Sequence, residues 1–108
     1  MGFSEMQRMM RQFQKMQTEM TRIQAEVSQR TVQASSGGGA VVVAANGGGE
    51  LTSIRINPEA IDPTDPEMLA DLLLAASNEA LRLARSMMAE EVGKLTGGRG
   101  GLPGIPGL

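Results

Sequence analysis

A chain of 108 residues, 41% hydrophobic and 20% charged, is the size and composition of one small globular domain whose core is modest for its surface. It has no Cys, His, Trp or Tyr, which removes thiol nucleophiles, disulfides, Cys/His zinc sites and the usual neutral-pH general base. Its net charge of −2 hides an asymmetry: residues 1–30 hold five basic and three acidic side chains, and the remainder five and nine.

From Met6 the apolar residues Met6, Met9, Phe13, Met16, Met20, Ile23 and Val27 recur in alternating steps of three and four. That is a heptad seam, with Met6, Phe13, Met20 and Val27 at a and the others at d, and it predicts a helix over about 5–28 with Ser4 as N-cap. In this frame Glu5, Gln12, Glu19 and Glu26 occupy g, beside the seam. Arg8, Lys15 and Arg22 occupy c and Arg11 occupies f, so a basic ridge about 21 Å long faces away from it. The seam reads as core or dimer interface, or else as an adaptable Met-rich partner surface to which Met10, at e, also belongs.

Two triple-glycine runs follow, in SSGGGAVVVAANGGGE. A phosphate loop would need GxxxxGK[ST] opening a helix, whereas Gly49 precedes Glu50 and the next residues are β-permissive. The runs therefore read as turns joining three short strands at about 30–36, 40–46 and 50–57, with Thr52, Ile54 and Ile56 alternating against Ser53 and Arg55. Asn46-Gly47 is a hairpin signal, because both residues accept positive φ.

Three prolines in NPEAIDPTDPE interrupt regular structure. Either Thr64, at capping-box spacing from Glu67, or Asp65, ahead of Pro66, starts a second helix over about 66–92 with Gly93 as terminator. Its apolar stripe is Leu69, Leu72, Leu73, Ala76, Ala80, Leu83, Ala84 and Met87. Arg82 and Arg85 lie off that stripe. Residues 97–108 read as a flexible Gly/Pro-rich tail with Leu102, Ile105 and Leu108 available to dock.

An α+β domain over 1–96 is expected: long helix, three-stranded antiparallel meander, long helix. So small a sheet leaves a face and two edges open, which favours a homodimer with projecting helices. No catalytic, cofactor-binding or metal-ligating residue stands out, and neither a small-molecule substrate nor an enzyme is expected. No apolar run reaches the roughly 20 residues of a membrane span, so a cytoplasmic location is expected. Excluding Glu from c and f makes nucleic acid a candidate partner, and the lack of aromatics for base stacking favours the duplex backbone. A protein-interaction module using the Met-rich helix is the alternative.

The strings GGGAVVVAANGGGELTSIRINPEAIDP, EMLADLLLAASNEALRLA, EEVGKLTGG and LPGIPGL resemble the YbaB/EbfC family of bacterial nucleoid-associated proteins. The resemblance implies a tweezer-like homodimer that binds double-stranded DNA through helical arms, with a role in nucleoid organisation or gene regulation and no enzymatic activity or cofactor. On this chain the arms carry Arg8, Arg11, Lys15 and Arg22, with Arg82 and Arg85 as second candidates. Those positions rest on charge sorting, not on a family motif.

Overall fold

The computed structural model describes residues 2–97; the tail expected over 97–108 lies, after Gly97, outside them. The described chain runs α1 (Phe3–Gln29), β1 (Thr31–Ser36), β2 (Val41–Asn46), β3 (Leu51–Ile56) and α2 (Pro66–Leu95), in an elongated body of 74 × 29 × 16 Å. The helix, meander, helix order is the one expected.

Both helices differ from expectation at one end. Gly2, not Ser4, is the N-cap of α1, with its carbonyl accepting from Met6 N at 3.1 Å and no side-chain cap. Glu5 sits in the first turn, where its charge suits the helix dipole. At α2 the cap is Asp65, whose Oδ1 accepts from Met68 N at 3.3 Å. Thr64 is otherwise engaged: its hydroxyl and amide both donate to Asp62 Oδ1, at 2.6 and 2.9 Å, and the hydroxyl bond holds that carboxyl below its ordinary range. Gly93 does not end α2, which continues to Leu95. A helical glycine costs only about 1 kcal/mol, and the positive φ that favours glycine falls at Gly97 (126°).

The strands form one antiparallel sheet in the order β1-β2-β3. Val41, Val43 and Ala45 are fully buried against Ala76, Ala80 and Ala84 of α2, with Ala34 of β1 completing the cluster. Alanines four apart form a flat stripe that lets the helix sit close to the sheet. Ser36 Oγ donates to Leu72 O at 2.6 Å, pinning the sheet to the helix backbone. Leu69, Leu72, Leu73 and Leu83 flank this core as expected, and so does Leu81, which the predicted stripe omitted.

A bulge shifts β3. Ala44 pairs with Ser53 but Ala45 pairs with Leu51, so Thr52 has no partner. The face opposite Val41, Val43 and Ala45 is thus Ile56, Ile54 and Leu51, and not the expected Thr52, Ile54 and Ile56. Because α2 lies over β1 and β2 and barely touches β3, Ile54 and Leu51 remain 48% and 42% exposed.

Both glycine runs are turns. Gly37–Gly39 make a 3-10 turn in which all three have positive φ. In the second run the reason differs from the one expected, since Asn46 and Gly47 do not adopt positive φ and Gly49 does, at 86°. Asn46 ends β2 and its Oδ1 accepts from Glu50 N at 3.1 Å. Gly47 is required by proximity: a Cβ there would lie 2.3 Å from Val27 O, and its N–H donates to Arg30 O at 3.0 Å. This turn anchors the end of α1.

Candidate nucleic-acid interface

The root of α1 is packed and its tip is not. Val27 is buried, Ile23 and Met20 are half-buried, and every described residue before Glu19 is exposed. Burying Val27 contributes about 1.5–3 kcal/mol, enough with the Gly47 contact to fix where the helix leaves the body. Ahead of Glu19 the helix projects as an arm of about 24 Å.

The six cations singled out from the sequence fall into two classes. Arg8, Arg11 and Lys15 stand on the arm and Arg85 on α2, all exposed, and among the described residues none has an ion-pair partner within 4.0 Å. Arg22 lies 2.7 Å from Glu19 and 2.9 Å from Glu26. Arg82 grips Glu79, with Nε donating to Oε2 at 3.0 Å. The cause is helical spacing: columns c and g are neighbours at i, i+3 and i, i+4, so an acidic g column reaches the basic ridge it appeared separated from. Gln12 interrupts that column beside both Arg8 and Lys15.

The pairings act on protonation. The hydrogen bond from Arg22 holds the Glu19 carboxyl below its ordinary value, as that from Arg82 does for Glu79, and both guanidinium groups shift upward in return. At the root, Lys94 and then Arg30 depress Glu91, which lies 3.0 and 2.9 Å from them. Apart from the half-buried Glu91, these groups are substantially solvated, so the pairs orient side chains more than they stabilise the fold.

Along the arm, Gln14, Gln17, Thr18 and Thr21 form a carboxylate-free polar strip that runs to Arg22. Thr18 donates its hydroxyl to Gln14 O at 3.0 Å, which leaves the glutamine amides and the Thr21 hydroxyl to satisfy phosphate oxygens without reading bases. The sequence reading passed over Arg55, exposed on β3 opposite Val42 and without an ion pair among the described residues. Its alternation with Ile54 and Ile56 was the available signal. The described residues hold no cluster of His, Cys, Asp or Glu suited to a metal ion and no helix long and apolar enough to cross a membrane.

Comparison with known proteins gives a consistent result. The chain is similar to nucleoid-associated proteins of Acetivibrio thermocellus, 52% identical over 97 residues covering 90% of this chain and 86% of that one, and of Pelotomaculum thermopropionicum, 54% identical over 103 residues covering 95% and 94%. A solved structure of similar fold is the uncharacterized protein HP0035 from Helicobacter pylori, with TM-score 0.64 and 26% identity over 80% of this chain and 87% of that one. The profile of the YbaB/EbfC DNA-binding family matches residues 1–99, and the chain belongs to that family.

Proposed function

We propose that this protein is a dimeric nucleoid-associated protein that grips duplex DNA by its phosphate backbone, through the cations at the tip of each α1 arm. Arg8, Arg11 and Lys15 are the principal contacts, and the observation that carries the reading is that these three are exposed and, among the described residues, form no ion pair within 4.0 Å. Arg85 is a further contact. Arg22 and Arg82 must first leave Glu19, Glu26 and Glu79, so they contribute less. Contacts of this kind position DNA with limited sequence readout, which suits nucleoid organisation or broad gene regulation in the bacterial cytoplasm.

Dimerisation follows from the uncovered sheet. Leu51 and Ile54 continue the core face beyond the edge of α2, and a second copy covering them would set two arms on one body. Each such side chain contributes about 1.5–3 kcal/mol when buried. Sedimentation of Ile54→Glu tests this, with a shift to monomer expected.

The DNA reading is tested by measuring duplex affinity over a salt series. Wild type should show log K falling linearly with log salt, and the Arg8→Ala/Arg11→Ala/Lys15→Ala variant, which removes three contacts on each of two arms, should reduce that slope by about 5. The rival reading, a protein-interaction module, draws on the exposure of Met6, Met9 and Met10, but the family match weighs toward DNA. Met10→Glu separates the two: loss of a captured partner with duplex binding intact favours the rival.

A further inference from the structure

The two faces of α2 are unlike. Ala76, Ala80 and Ala84 are buried against the sheet. On the opposite side Ala75, Asn78, Arg82, Arg85 and Ala89, spaced alternately by three and four, form one exposed face about 21 Å long. Glu67 and Asp71 lie before it, towards the start of the helix. Glu79, at its edge, draws Arg82 aside through their hydrogen bonds, which leaves Asn78 and Arg85 in the middle. The face is thus locally basic, although the chain after residue 30 is acidic overall.

Asn78 has no task in the fold. Asn is a poorer helix former than Ala, yet it stands mid-helix. The side-chain hydrogen bonds of α2 and its caps involve Ser36, Asp65, Arg82, Lys94 and Thr96 but, among the described residues, not Asn78. Arg85 has no ion pair among those residues, and Leu74, one turn before Asn78, is 62% exposed. These are the side-chain types that recognise base edges: Asn bonds adenine at N6 and N7, Arg bonds guanine at O6 and N7, and an apolar group meets the thymine methyl. The major groove, about 12 Å wide, admits an α-helix, and the small Ala75 and Ala89 permit close approach. Asn78 and Arg85 are two turns apart, about 10.5 Å, which matches three base steps of about 3.4 Å.

We propose that the outward face of α2 enters the major groove of duplex DNA and adds sequence readout to the backbone grip of the arms, with Asn78 on an adenine and Arg85 on a guanine about three base pairs away. The proposal rests on the reading of this protein as a duplex binder. It goes beyond that reading because phosphate contacts carry no sequence information and these contacts do.

Selection of bound duplexes from a pool with a randomised centre tests it. Wild type should enrich sites with an adenine and a guanine about three base pairs apart. Asn78→Ala, which favours the helix, should lose the preference for the adenine and bind the selected duplex at least about 5-fold more weakly. Its affinity for the unselected pool and its salt slope should stay those of wild type. Replacing the selected adenine with 7-deazaadenine should weaken wild type and leave Asn78→Ala unaffected. No enrichment by wild type, or enrichment that Asn78→Ala retains, overturns the proposal, while a normal salt slope in the same samples leaves the backbone grip standing. Equal loss on selected and unselected duplexes also overturns it, since that marks a structural effect. Absence of salt-dependent binding to any duplex would overturn the backbone grip and this proposal together.

Discussion

The two halves of α1 carry one heptad stripe and one charge pattern through different surroundings. From Glu19 onward the stripe packs toward α2, and the cations Arg22 and Arg30 are tied to Glu19, Glu26 and Glu91. Before Glu19 the stripe is uncovered in the described structure and Arg8, Arg11 and Lys15 are untied. A helical period thus fixes which residues share a face, while tertiary neighbours decide whether that face serves as core or as contact surface. The root is packed into the fold and the tip is exposed, which is why the proposed DNA contacts are placed there.

Substitutions can break this contrast. Val27→Asp places an unpaired charge in a buried site and should cost about 3 kcal/mol or more of stability, measured by urea denaturation. Gly47→Ala, whose new methyl meets Val27 O, should cost about 1–3 kcal/mol by the same measurement, and a smaller loss would mean that the turn can move off the helix. At the tip, each of Arg8→Ala, Arg11→Ala and Lys15→Ala should change stability by no more than about 0.5 kcal/mol.

How much of this was legible in the sequence varies along the chain. The elements were, because the seam from Met6 to Val27 and the stripe from Leu69 to Met87 are long and periodic. The bulge was not: Thr52 and Leu51 are both acceptable in a strand, and only pairing with Ala45 decides between them. Gly47 was identified as a turn residue for its φ, but what it needs is room beside a helix 20 residues earlier. Among the cations, sorting by column finds the ridge on α1 but not that c and g are neighbours there, nor that Glu79 lies one turn before Arg82 on α2, so the tethering of Arg22 and Arg82 comes from side-chain geometry.

A finer prediction uses acid. Glu79 is depressed by Arg82 and Glu19 by Arg22, so each pair is complete above the ordinary glutamate range and is lost as pH falls through the depressed value. Lowering the pH through that window should free both arginines and tighten duplex binding modestly. Glu79→Gln should mimic the effect for Arg82 at neutral pH, and duplex titrations of that variant check it.

The most direct test compares tip and tethered cations in one salt series. In a dimer that uses both arms, the Arg8→Ala/Arg11→Ala/Lys15→Ala variant loses six contacts and should reduce the slope of log K against log salt by about 5, and Arg22→Ala/Arg82→Ala by clearly less than the roughly 4 that full contacts would give. An unchanged slope in the tip variant, or an equal loss per residue in both, would contradict the division between a structural root and a DNA-binding tip.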